Sequence, residues 1–151
     1  MEKNNISFSH TSYNIISSNN KILSYQIAKN EIFFKDLIKS CDIGLSTVIL
    51  KSNLLNKNKI FFPKINTKED YVLWLKIIKK IKNIKGLDVK LTYYRKTKGS
   101  LSSNKLISLI NGYNVYRDFM NYGIIKSLFY LFILSINSLK KKTASYLYIK
   151  K

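Results

Sequence analysis

The stretch Thr67-Lys68-Glu69-Asp70-Tyr71-Val72-Leu73-Trp74-Leu75-Lys76-Ile77-Ile78-Lys79-Lys80 decides how this chain is read. Apolar residues at 71, 74, 75, 78 and 81 recur at helical spacing, while Lys76, Lys79, Lys80 and Lys82 gather on the other face and toward the C-terminal end, where cations suit the helix dipole. The spacing predicts an amphipathic helix starting near Thr67. Thr67 followed three residues later by Asp70 has the form of a capping box, and the first-turn carboxylates Glu69 and Asp70 suit the positive end of the dipole. Capping is a sufficient local account of that pair. The pair is nonetheless conspicuous, because the chain has only eight acidic residues and these two adjoin a loop.

Upstream, Ile6 to Tyr13 alternates, with Ile6, Phe8 and His10 on one face and Ser7, Ser9 and Thr11 on the other, the period of a half-buried strand. Ser17-Ser18-Asn19-Asn20 supplies turn residues, and Ile22 to Ile27 returns, which predicts a hairpin. His10 reads as a packed strand residue, since no second histidine exists to form a site with it. Glu31 to Ser40 predicts a short helix with Phe33, Phe34, Leu37 and Ile38 on its apolar side. The run Asp42 to Leu50 ends in β-branched residues and predicts a buried strand, with Gly44 at its mouth and Ser46 and Thr47 at its end. For those two hydroxyls, bonding to backbone and contact with a substrate both stay open.

Downstream, a polar Asn/Lys loop separates that strand from the central helix, and Leu87 to Tyr94 is a further alternating strand. Residues 95–103 form a polar loop, after which two helical stretches meet near Asn121-Tyr122-Gly123. Strands alternating with helices predict an α/β fold, divided into residues 1–103 and a C-terminal helical segment, residues 104–151.

Composition narrows the function classes. The chain has 151 residues, 46% of them hydrophobic and 13% aromatic, which is enough for a core and too apolar for a disordered tail. The formal net charge of +19 suggests an anionic partner, yet only Arg95 and Arg117 are arginines. Arginine is the residue that forks onto phosphate and guanine edges, so its scarcity argues against specific nucleic-acid recognition. Cys41 is the only cysteine, which excludes an intrachain disulfide and fits a reducing compartment. The start has no apolar h-region, which points to the cytoplasmic side. The apolar stretch Ser127 to Leu139 would span only about 20 Å as a helix, too short to cross a bilayer of roughly 30 Å. With Lys126 before it and Lys140, Lys141 and Lys142 after it, it suits either a helix lying on an anionic membrane surface or a core helix closing the domain.

Three segments taken together, Gly44-Leu45-Ser46-Thr47-Val48, the ED-x-x-x-W of residues 69–74, and Tyr93-Tyr94-Arg95 with Gly99-Ser100-Leu101-Ser102-Ser103-Asn104-Lys105, resemble the C-terminal half of bacterial family 2 glycosyltransferases. The resemblance is strongest to the branch that builds teichuronic acid and capsular polysaccharide, and it covers roughly residues 3–142. It implies part of an A-type glycosyltransferase fold, a mixed sheet with flanking helices. It also implies that Asp70 is the general base of an inverting transfer, with Glu69 orienting it or a sugar hydroxyl. Ser46, Thr47, Trp74, Arg95, Ser100 and Ser102 become candidates for substrate contact. Trp74 reads as well as a core residue, and the loop hydroxyls read as well as helix caps.

The family's nucleotide-sugar-binding half and its D-x-D motif, which holds a divalent cation (Mg or Mn) on the donor diphosphate, have no match in this sequence. By the resemblance Met1 corresponds to an internal methionine just beyond that motif. The expectation is therefore a fragment that binds no metal or nucleotide sugar alone, with a nucleotide-sugar, a glycan acceptor and a separate donor-binding half as partners of the intact enzyme. The alternatives are a non-catalytic basic module on the inner face of the plasma membrane and a nonspecific nucleic-acid binder.

Overall fold

The computed structural model describes residues 5–97 and 104–149, residues 142–149 as backbone only. Strands β1 (Phe8–Ile16) and β2 (Ile22–Gln26) form the expected antiparallel hairpin, with Tyr13 opposite Gln26 and Ile16 opposite Ile22. On the same side of β1, the short β4 (Val48–Leu50) pairs antiparallel with Phe8 to His10. The other side of β1 is taken by β5 (Ile84–Arg95), which runs parallel to it. A two-residue β3 (Glu31–Ile32) closes the sheet by pairing antiparallel with Ile84 and Lys85. One parallel pair among antiparallel ones makes this a mixed five-stranded sheet with flanking helices, the α/β class read from the sequence.

The parallel pair is irregular because β5 carries extra residues opposite Thr11, Ser12 and Tyr13. Ser12 sits at the irregularity, where its buried hydroxyl donates to Asp88 Oδ1 at 2.6 Å and accepts from the Ala28 amide at 2.8 Å. Beside it, the Lys29-Asn30 backbone crosses β5 so closely that a Cβ on Gly86 would lie 2.0 Å from the Lys29 carbonyl oxygen. Only glycine allows that crossing.

The helices are α1 (Phe34–Leu37), α2 (Asn53–Asn58), α3 (Glu69–Ile78), α4 (Lys105–Asn114) and α5 (Ile124–Ile149). A π-helical turn, Val115–Phe119, extends α4. Asn121, at φ 56, makes the left-handed break before α5 at the place where the sequence puts a C-cap.

Four local expectations change. The Glu31–Ser40 helix shrinks to the single turn α1, because Ile32 is drawn into the sheet opposite Ile84. The Asn/Lys loop contains α2, which ends at Lys59 in the left-handed conformation. The strand ending at Leu50 lies at a sheet edge with Ile49 exposed, so it is not buried on both faces. The fourth change is α3. Its sequence promised one apolar stripe, yet Tyr71, Val72, Leu73, Trp74, Leu75, Ile77 and Ile78 are all buried.

That helix is covered on several sides. Trp74 packs edge-on against Phe8 of β1, with ring centroids 5.0 Å apart. The Tyr71 hydroxyl donates to the Leu37 carbonyl and lies 3.2 Å from that of Tyr116, which donates to the Ile38 carbonyl. Two buried tyrosines thus satisfy the carbonyls at the end of α1 and tie the C-terminal helices to α3. Val115, Tyr116, Met120 and Leu134 belong to the same core cluster as α3 and Phe8. At roughly 1.5–3 kcal/mol for each large apolar side chain buried, α3 is the organising element of the fold.

Candidate functional site

The N-terminus of α3 opens onto a cleft of about 610 Å³, walled by Tyr13 of β1, Tyr94 of β5, Cys41 and residues 43–46. Glu69, Asp70, Thr67 and Lys68 form its floor. Clefts of this size, with aromatic walls and a few convergent polar groups, are the usual form of a small-molecule site.

The helix begins differently from its sequence pattern. Thr67 is not the N-cap; Lys68 is, in the left-handed conformation at φ 66, and its side chain makes no cap hydrogen bond. The Thr67 hydroxyl accepts from Asn111 Nδ2 of α4 at 2.7 Å, so tertiary pairing takes the group that the capping box needs. Glu69 and Asp70 are therefore not committed to capping by Thr67. The Asp70 carboxylate accepts from the Tyr71 amide at 2.7 Å. Burial raises its pKa above the ordinary aspartate value, with Glu69 adding to the rise, while the Tyr71 amide and Lys68 oppose it. The first-turn position at the positive end of the helix dipole does not decide the ionisation of Asp70, because desolvation outweighs the local donors.

The aromatic wall is built by the sheet. Tyr13 and Tyr94 meet edge-on, with centroids 6.2 Å apart. The Gly44 backbone lies against the Tyr13 ring, where an added Cβ would come within 3.1 Å. Burial pushes the Tyr13 phenol up to about 12, so it is a neutral hydrogen-bonding group at physiological pH.

Of the residues singled out from sequence, the fold brings Ser46, Glu69 and Asp70 together at this cleft. Thr47 lies on the 3₁₀ turn Leu45–Thr47, and its buried hydroxyl donates to the Gly44 carbonyl at 2.7 Å, so it is a backbone-bonded residue. Trp74 does not reach the cleft: it is 1% exposed in the core, its indole nitrogen without a partner. Arg95 is drawn to the hairpin turn, where Nη1 donates to the carbonyls of Ser17 and Ser18 at 3.1 Å each. Ser100 and Ser102 lie outside the described residues. Sequence reading missed Tyr13 and Cys41, and saw Tyr94 only as part of a motif. Tyr13 had one signal, its place on the face of β1 opposite Phe8 and His10.

Among the described residues no three His, Cys, Asp or Glu side chains converge on a point that could hold a metal ion. Among those residues the divalent cation implied for the family finds no such ligand set, and no step is assigned to it.

No protein-family model matches the chain. Its sequence homologues are bacterial glycosyltransferases. It is 37% identical over 148 residues to UDP-Glc:alpha-D-GlcNAc-diphosphoundecaprenol beta-1,3-glucosyltransferase WfgD of Escherichia coli, a match covering 97% of this chain and 56% of that protein. To WfaP of Escherichia coli, which bears the same enzyme name, it is 35% identical over 146 residues, with the same coverage. To TuaG of Bacillus subtilis (strain 168), named for teichuronic acid biosynthesis, it is 27% identical over 143 residues, 94% of this chain and 56% of that protein. The chain thus spans little more than half the length of these relatives. They support the glycosyltransferase resemblance and lend nothing to the reading as a nucleic-acid binder or non-catalytic module.

Proposed function

We propose that this chain carries the acceptor side of an inverting glycosyltransferase, which in intact form moves a sugar from a nucleotide-sugar onto an envelope glycan. Asp70 supports the reading best: a carboxylate with a raised pKa, at a helix start and in a cleft, in a chain homologous to glycosyltransferases. As the acceptor hydroxyl attacks the anomeric carbon, the bond to the nucleoside diphosphate breaks, and Asp70 takes the hydroxyl proton. A base works best with a pKa nearer the operating pH, and burial moves Asp70 in that direction. Glu69 orients Asp70 or a neighbouring sugar hydroxyl, Ser46 contacts the acceptor, and Tyr13 and Tyr94 offer it an apolar wall. Donor binding belongs to a half outside this chain, on the same polypeptide or a separate one, together with any Mg or Mn on the diphosphate.

Two relatives are named for transfer to a GlcNAc-diphosphoundecaprenol, and a lipid-linked acceptor of that kind is the substrate class assigned here. Among the described residues no helix is long and apolar enough to cross a membrane, and the reading places the chain peripherally on the cytoplasmic face. The test is transfer by a protein in which this chain is joined to its donor-binding half. Asp70→Asn lowers turnover at least about a hundredfold, the scale of losing a general base. Full activity in that variant removes Asp70 from the mechanism.

A further inference from the structure

A second cleft, of about 430 Å³, lies between α1 and the later part of α5. Lysines from three separate segments converge on it: Lys29 after β2, Lys39 after α1, and Lys140 and Lys141 on α5. Two aspartates share the cleft, and both are occupied. Asp42 is almost fully buried, accepts from the Ser40 hydroxyl at 2.7 Å, and is flanked by Lys29 at 3.6 Å and by Lys141. Asp36 accepts from the Phe33 amide at 3.2 Å. Lys39 and Lys140 make no ion pair among the described residues. The two walls are bridged where Asn137 Nδ2 of α5 donates to the Lys39 carbonyl at 2.9 Å. Burial, with a smaller contribution from Lys29, lowers Lys141 to about 8.

The surroundings indicate where an anion would come from. Ile125, Leu128, Phe129, Phe132 and Leu139 recur at helical spacing along α5 and are 52% to 86% exposed, on the side away from the buried Ser127 and Leu134. An outward apolar stripe on a helix that already packs inward is unexplained by the core, and lysines at its ends give it the chemistry of a membrane-surface helix. The stripe ends at Leu139, one residue before Lys140. Neighbouring residues Cys41 and Asp42 line one cleft each, so the lysine cleft backs onto the acceptor cleft.

We propose that the Lys29/Lys39/Lys140/Lys141 cleft is a binding site for the phosphate of a membrane lipid, presented at the outward stripe of α5. It rests on the proposed function only for the kind of lipid, a polyprenyl diphosphate carrying the acceptor glycan. Lys39 and Lys140 clasp the phosphate, and the Asp42 pairs hold the other two lysines in place beneath it.

The full chain is titrated at about 0.15 M salt with three probes. They are phosphatidylcholine vesicles carrying undecaprenyl diphosphate, vesicles of matched surface charge carrying phosphatidylglycerol, and inorganic pyrophosphate in solution. Lys39→Gln with Lys140→Gln is compared with a control pair of exposed lysines, Lys57→Gln with Lys64→Gln. All four lysines are exposed, and equal thermal melts verify that both variants fold.

The expected result is at least about a tenfold loss of binding to diphosphate vesicles in the cleft pair, against less than about twofold in the control, since site binding depends on placement and diffuse attraction on charge alone. Preference for diphosphate over glycerol-lipid vesicles supports the polyprenyl source, and equal binding to both supports any lipid headgroup phosphate. Binding of pyrophosphate without vesicle binding overturns the lipid assignment, and equal losses in the two pairs overturn the site. Asp70→Asn leaves this binding intact, so failure of the catalytic reading and failure of the cleft are separate results.

Discussion

Acidification from pH 7 toward pH 4 titrates His10, and the fold makes the consequence calculable. His10 is 1% exposed in β1, neither ring nitrogen has a hydrogen-bond partner, and burial holds its pKa at about 4 against an ordinary 6.5. The unfolded chain takes up the proton near pH 6.5, whereas the folded chain stays neutral until about pH 4. Between those values the unfolded state binds more protons, so stability is full above the unfolded pKa and is lost as the pH falls toward the folded one. The gap between 6.5 and about 4, at ~1.4 kcal/mol per unit, corresponds to about 3 kcal/mol. That is a large share of the 5–15 kcal/mol that holds a typical domain together, so the effect is measurable.

The assay is urea unfolding across this range, followed by the fluorescence of Trp74, the one tryptophan, which packs on Phe8 two residues from His10. His10→Leu removes both orphan nitrogens and keeps the apolar volume. Its stability is expected to match or exceed that of the parent at pH 7. The difference between the two curves then widens by about 3 kcal/mol on acidification, with the carboxylates common to both cancelling. Parallel curves would falsify the assignment of a neutral, desolvated imidazole.

Two further outcomes follow from the same structure. The Asp70 pKa is raised by burial, so the folded state holds its proton more tightly than the unfolded one, and stability falls as pH rises through that window; Asp70→Asn therefore unfolds at higher urea than the parent at pH 7, and a lower midpoint contradicts the desolvated carboxylate. Gly86→Ala sets a methyl 2.0 Å from the Lys29 carbonyl and is expected to cost at least about 2 kcal/mol in the same urea assay, whereas Gly123→Ala, with nothing within 4 Å, changes little.

What could be read from the chain itself was what period and turn chemistry specify. The β1–β2 hairpin followed from the alternation of Ile6 to Tyr13 and the Ser17 to Asn20 turn, the central helix from its apolar spacing, and the α4–α5 break from Asn121. The inward face of β1 was legible as Phe8 and His10, because strand alternation fixes which residues share a side. Asp70 could be named because scarce carboxylates stood in a motif, although its raised pKa could not, since desolvation depends on what other segments place around it.

The remainder was decided by pairing across the chain. Periodicity marked one face of α3 as apolar but could not show that α1, the sheet and the C-terminal helices would enclose the rest. Thr67 lost its capping role to Asn111, 44 residues away, and Arg95 went to the hairpin turn because β5 runs beside β1 and ends there. The same parallel pairing brings Tyr94 to Tyr13 and so builds a wall that no local pattern contains. The lysine cleft arises in the same way, from three segments that meet only when α5 packs against α1. Local sequence sets each segment's shape and its apolar face, whereas a site is a coincidence of distant segments, and only the closed structure fixes which side chains coincide.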